Sequence, residues 1–320
     1  MIKQRVLCLL LAACGSFSAL AAYPEKAITI VVGFPPGSAP DIAARAVTQG
    51  LAAKLGQPVL VENKSGAAGT IAAGNVARAP ADGHTLLLGS ASSLTVGPAL
   101  YKNLPYDTLK SFSPIVQMLR GAFVLTVRSG LPVNDLEELV AYAKANPGKL
   151  TYGSSGNGSL HHLCMEMFNE ASGLKLNHIP YRGSPPNWLA LNAGEVDMIC
   201  DSMPNPIATL QSGKGRAIAI AGNERVSSLP DVKTFKEQGY PSVSIDFWYG
   251  FLAPAGTPRS VIDKLNAAIG EVVKDPEIVN RYKAQSIDIV PGTPEEFGRL
   301  LAQEVELWPP IVKKAGVTID

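Results

Sequence analysis

Two short stretches hold the residues whose types and spacing can do chemistry: "GFPPGSAPD", residues 33–41, and "GSSGNGSLHH", residues 153–162. Each follows an apolar run and leads straight into a helix-like pattern. Ser38 and Ser159 stand where a helix N-cap belongs, and Asp41, three residues past Ser38, makes a variant of the capping box. The start of a helix presents N–H groups without intrahelical acceptors and a partial positive charge, so it attracts anions. Gly37, Gly156 and Gly158 allow positive φ and close approach of backbone to a ligand. Pro35 and Pro36 stiffen the first loop and lower the cost of ordering it. The chemistry expected is capture of a small carboxylate by N–H and hydroxyl groups. Phe34, Pro36, Gly37, Ser38 and Asp41 serve it from the first loop; Ser154, Asn157, Gly158 and Ser159 serve it from the second. Either serine alone is better explained as a plain helix cap; two matching loops favour a site.

Other residues join these. Ser90 and Ser92 lie in "GSASS", which ends a strand. His162 is expected at the start of a helix, hydrogen-bonded near the loop. With Glu166 one turn later it makes a pair of metal-ligand types, and a pair is not a metal site. Asp201 closes an apolar strand. It is read either as facing a cleft, to take an ammonium or hydroxyl, or as a turn former before "SMPNP". Tyr181 and Trp248 are candidate pocket walls, and Arg182 is a candidate charged contact. Catalysis has no support: there is no G-x-S-x-G, G-x-G-x-x-G, G-x-x-x-x-G-K-[ST] or HExxH. No cofactor, metal or catalytic set is expected.

The elements that must position these residues alternate between strand and helix. Residues 27–32, "AITIVV", read as a strand buried on both faces. A helix over 41–55 follows, then a strand at 59–62, a small-residue helix at 67–78 and a strand at 85–88. The pattern resumes with a strand at 123–127 and a helix at 136–145. The second loop sits between a strand at 150–152 and a helix at 160–171. Strands at 178–181, 196–201 and 217–221 follow, with a helix over 188–192. The chain closes with helices over 259–274 and 294–315 and a short strand at 287–290. This is an α/β fold with parallel strands, in two units. In such sheets ligands sit beyond the carboxyl ends of strands, so the two loops should face each other across a cleft.

The chain has 320 residues, 46% hydrophobic and 17% charged, enough for two domains or one large one. Its net charge of +1 and lack of a basic block give no reason to expect nucleic acid. Residues 1–21 read as a signal peptide: Lys3 and Arg5, an apolar core, and Ala19-Leu20-Ala21 as cleavage site. Its removal moves the formal charge to −1. The competing reading is a lipoprotein box, "LAAC", with Cys14 lipidated. Of the later cysteines, Cys164 lies on an apolar helix stripe, and it and Cys200 are expected to be buried free thiols, although an exported protein permits a disulfide.

Nine stretches, in order along nearly the whole chain after the leader, resemble one known family. Among them are residues 23–45 ("YPEKAITIVVGFPPGSAPDIAAR"), 56–73 ("GQPVLVENKSGAAGTIAA"), 148–163 ("GKLTYGSSGNGSLHHL"), 194–220 ("GEVDMICDSMPNPIATLQSGKGRAIAI") and 251–269 ("FLAPAGTPRSVIDKLNAAI"). The family is the substrate-binding proteins of tripartite tricarboxylate transporters, also called Bug-type periplasmic receptors. The resemblance implies a two-lobed, class II-like periplasmic binding protein. Each lobe is a mixed, mostly parallel sheet flanked by helices, with the ligand cleft between lobes. Residues 22–122 with 247–320 are expected to form lobe 1 and 123–246 lobe 2, hinged near 120–124 and 244–250. A carboxylate clamp is implied at 34–38 and 153–159. The implied ligands are di- and tricarboxylates, acidic amino acids, nicotinate-type compounds and aromatic carboxylates. The implied partner of the monomeric receptor is a two-component membrane permease; the alternative is a sensor kinase's periplasmic domain. Three places depart from the family pattern: Gly33 and Ser38 in the first loop, His161, and Cys200 where many members carry Phe.

Overall fold

The computed structural model describes residues 23–318 apart from Pro204. The expected leader, with Cys14, lies outside those residues. Strand β1 (Ile28–Val32) is buried along almost its whole length, as its unbroken β-branched run requires. Helix α1 (Ala39–Leu55) follows and ends at Gly56, whose φ of 73° is left-handed. β2 (Val59–Asn63) and β3 (Thr85–Ser90) pair with β1 in parallel. Between them the sequence predicts one helix over 67–78. The structure has a 3-10 turn, Ala67–Gly69, and a shorter helix α2 (Thr70–Val76). Ala67 and Ala68 have φ of 46° and 52°, which a right-handed helix cannot continue through. After β3 a π-helical turn, Ser92–Val96, runs into a short helix, Gly97–Leu100.

β4 (Phe112–Arg128) is 17 residues long, where the sequence pattern shows only 123–127. Then come α3 (Leu136–Ala145), β5 (Thr151–Ser154), α4 (Leu160–Ser172), β6 (Asn177–Pro180), α5 (Ser184–Ala193), β7 (Met198–Ser202), α6 (Asn205–Gln211) and β8 (Gly215–Ala221). β9 (Asp246–Pro254) leads to α7 (Arg259–Val272), α8 (Pro276–Lys283), β10 (Asp288–Ile289) and α9 (Pro294–Lys314).

The strand order explains the length of β4. One half of the sheet runs β2-β1-β3-β9-β4 and the other runs β6-β5-β7-β4-β8. The two orders have the same form: three parallel strands, an antiparallel strand arriving from the other half, then a fifth strand; the first half adds the two-residue β10 beside β4. β4 supplies both halves, pairing with β9 from Phe112 to Ala122 and with β7 and β8 from Phe123 onward. Where β4 and β9 cross between halves they pair Gly121 with Phe247 and Ala122 with Asp246. The molecule is therefore two lobes joined by crossing strands.

Cys164 on α4 and Cys200 on β7 are both fully buried and form a disulfide, with Cα atoms 6.4 Å apart. This corrects the expectation of free thiols: α4 packs directly on β7, a contact that residue spacing alone does not reveal. No helix among the described residues is long and apolar enough to cross a membrane.

Candidate functional site

The two loops fold into the same object. In the first, Ser38 N–H donates to Pro35 O at 3.2 Å and Ser38 Oγ to the same oxygen at 2.7 Å. In the second, Ser159 N–H and Oγ donate to Gly156 O at 3.2 and 2.7 Å. The third residue of each turn is a left-handed glycine, Gly37 at φ 81° and Gly158 at φ 74°. Ser38 and Ser159 have φ, ψ of −72°, 158° and −71°, 158°. These are type II turns, which demand glycine at the third position, and each hands the chain to a helix through Ile42 N–H to Ser38 O or Leu163 N–H to Ser159 O.

The match extends to the third helical position. Gly37 N–H donates to Asp41 Oδ2 at 2.9 Å, and Gly158 N–H donates to His162 Nδ1 at 3.3 Å. Asp41 and His162 therefore brace their turns from inside the helix. Burial would raise the Asp41 carboxyl, but hydrogen bonds from Arg45, Gly37 N–H and Asn63 outweigh it and hold it below its ordinary value. His162 is kept neutral by burial and by His178, its pKa pushed down to about 3. The two rings stack with centroids 3.9 Å apart, and Tyr152 lies nearly parallel to both, 4.8 Å from His178 and 6.3 Å from His162. His178, pushed down to about 4 by burial, meets Ser154 Oγ at 2.6 Å. Only one of the two serines caps as expected: Ser159 Oγ accepts from His162 N–H, whereas Ser38 Oγ is held by Pro35 O and makes no side-chain cap.

Both imidazoles are neutral in the fold and titrate near 6.5 once unfolded. Depressed pKa values of this kind give stability that is present above pH 6.5 and is lost as pH falls toward 4 and 3. His178→Gln should therefore reduce the loss of unfolding free energy between pH 7 and pH 5 by about 1–2 kcal/mol, measured by urea denaturation at both pH values. An equal loss in variant and wild type would contradict this.

The two lobes touch around the turns. Leu160 N–H, at the start of α4, donates to Ser92 Oγ of the other lobe at 3.1 Å. Tyr101 Oη donates to Asn157 O at 3.5 Å. A Cβ on Gly183 would lie 2.5 Å from Pro35 Cγ. Two cavities lie along this seam. The inner one, about 20 Å³, is met by both helix starts, with Ser38, Ala39 and Pro40 on one side and Leu160 and His161 on the other. It has room for roughly one water-sized group. Phe34, Ser90 and Ser92 also line it. The outer cavity, about 590 Å³, shares Phe34 and is walled by Ser155, Asn157, Tyr181, Arg182 and the 65–69 segment.

Pro36, Gly37, Asp41, Ser154, Gly158, Ser159, His162 and Asp201 line neither cavity. They shape the turns or stand behind them. Asp201 does not face the cleft: its carboxylate accepts from Trp188 Nε1, Ser202 N–H and Asn205 Nδ2 and meets His161 Nε2 at 2.6 Å. Glu166 accepts from Tyr152 and Asn169, so it is engaged away from His162. Among the described residues no cluster of three or more His, Cys, Asp or Glu could hold a metal. The inner wall that the sequence did not indicate comes from the crossing strands and their neighbours: Phe123, Phe247, Tyr249, Ser184 and Ser202. The signal available was the aromatic density of "DFWYGF".

Gly33 also has a structural reason. A Cβ there would stand 2.6 Å from Gly69 Cα, backbone against backbone, in the wall of the outer cavity. Gly33→Ala should cost about 1–3 kcal/mol of stability, as overpacking does, and displace that wall. An unchanged melting temperature would count against the contact.

Residues 43–317 match the model of the tripartite tricarboxylate transporter family receptor. The chain belongs to this family. Protein BugT of Bordetella pertussis is 35% identical over 298 residues, 93% of this chain and 91% of its own. Three solved structures are similar. The periplasmic binding protein BugD is 37% identical, with a TM-score of 0.88 over 92% of this chain and 99% of its own. Rpa4515 of R. palustris, solved with adipate, gives 30% and 0.89 over 92% and 99%. MatC of Rhodopseudomonas palustris, solved with malate, gives 33% and 0.86 over 91% and 100%. The chain is thus a two-lobed periplasmic binding protein of the Bug type, a binding receptor and not an enzyme.

Proposed function

We propose that this receptor captures a small organic anion with at least one carboxylate between lobe 1 (22–122 and 247–320) and lobe 2 (123–246), and delivers it to a two-component membrane permease. The observation that carries the reading is the matched pair of type II turns, each heading a helix of eight residues or more, whose starts meet at one cavity. Paired helix starts offer N–H groups and partial positive charge from both sides, so an anion stabilises the closed form more than the open one. Relatives solved with malate and adipate are consistent with a carboxylate ligand. The crossings at 120–124 and 244–250, where the lobes share only two strands, are the proposed hinge.

A thermal-shift screen over malate, succinate, adipate, citrate, glutamate and benzoate tests the reading. At least one acid should raise the melting temperature in a concentration-dependent way, because ligand bound to the native state stabilises it by mass action. Uncharged analogues should not. No response to any acid, with a response to neutral solutes, would overturn it.

A further inference from the structure

We propose that Ser155 is a ligand contact whose polarity is set by His161 and Asp201, so that the receptor takes up a proton as it closes on a carboxylate. The proposal rests on the anion-receptor reading above and adds a chemical requirement to it. Ser155 Oγ lies 2.7 Å from His161 Nδ1, and His161 Nε2 lies 2.6 Å from Asp201 Oδ1. Ser155 lines the outer cavity and His161 the inner one, so this chain of contacts spans both.

Asp201 is fully enclosed, and an ionised carboxylate only accepts hydrogen bonds. Facing it, His161 Nε2 must carry a proton. The state of Nδ1 then decides what Ser155 can do. With a neutral ring, Nδ1 accepts the Ser155 hydroxyl proton and the serine turns only lone pairs to the cavity; it can accept from an ammonium or hydroxyl but repels a carboxylate. With one more proton, Nδ1–H donates to Ser155 Oγ. The serine's own hydrogen is released to donate to a carboxylate oxygen.

The surroundings say why that proton arrives with an anion. Among the described residues Arg182 is the only lysine or arginine lining either cavity, and it is exposed. An anion enclosed near Asp201 brings two negative charges close together, and the group between them is an imidazole. The other neighbours bring no compensating charge. Ser184 of α5 lies 3.3 Å from Nε2, Phe123 of β4 meets the ring edge-on at 5.1 Å, and Trp188 donates to Asp201. Tyr249 of β9, near Asp201, is a buried phenol held neutral, and His162 faces His178 instead. The disulfide flanks the pair, Cys200 adjoining Asp201 and Cys164 lying one turn past His161, and so fixes α4 against β7 at this point.

The test is calorimetric titration of the full chain with succinate, glutarate and citrate at pH 5.5, 6.5 and 7.5, each in two buffers of different ionisation enthalpy. Binding heats should differ between buffers by the heat of up to one proton taken up. Affinity should rise as pH falls, by up to tenfold per unit. Ser155→Ala should weaken binding about ten- to a hundredfold, and Ser155→Thr should restore most of it. His161→Gln, which keeps both hydrogen bonds but cannot titrate, should remove the buffer dependence and flatten the pH profile; a merely structural role would lower the melting temperature and leave both intact. Wild-type calorimetry decides proton uptake even if a variant fails to fold. Binding without buffer dependence overturns the proposal and leaves the receptor reading standing. Failure of the wild type to bind any of the three acids overturns both.

Discussion

Gly37→Val and Gly158→Val are each expected to weaken carboxylate binding by about 2 kcal/mol or more, some thirtyfold and upward, while the protein still folds. Both glycines hold the left-handed conformation that the type II turn requires, and valine resists it most because its β-carbon is branched. The turn cannot relax without losing the N–H and Oγ bonds that aim each helix start at the cavity. Gly148 provides the control. It is equally left-handed, with φ of 69°, but its missing Cβ has nothing within 4 Å and it lies before β5, away from both cavities. Gly148→Val should lower stability to a similar degree and leave affinity unchanged. Titration calorimetry on the three variants checks the contrast; equal affinity in all three would remove the turns from the site.

Replacing Cys164 and Cys200 together by alanine is expected to lower unfolding free energy by about 3–4 kcal/mol, the chain-entropy value for a loop of this length. The bridged residues are 36 apart in sequence and both are fully buried. Reductant alone should therefore act slowly on the native protein and quickly once denaturant opens it. Urea denaturation of the oxidised wild type and the double variant measures the first effect. A difference below 1 kcal/mol would show that the α4–β7 packing holds without the bond.

The loops were legible from sequence because their signals are local. Glycine before serine, stiffened by proline or doubled by glycine, specifies a turn and a helix start within nine residues. The sequence pattern shows only the second part of β4 because Gln117, Arg120 and Gly121 interrupt its apolar run. The interruption is where the strand leaves one lobe for the other, a fact of topology. The inner wall of Phe123, Phe247 and Tyr249 assembles only when β4 and β9 cross, so no short window contains it. Asp201 ends an apolar strand, which leaves its side-chain direction open until α4 and α5 bring His161 and Trp188 to it. The cysteine pair depends on the same packing of α4 on β7.

The central claim is that an anion is held by both helix starts at once. The amide proton shifts of Ala39, on α1, and His161, on α4, test it most directly. Both are first-turn N–H groups without intrahelical acceptors, and both residues line the inner cavity. Titrating isotopically labelled protein with the acid that most raises its melting temperature should move both signals downfield, with one shared saturation point. A shift at only one of them, or changes confined to Tyr181 and Arg182 at the outer cavity, would contradict the two-sided clamp.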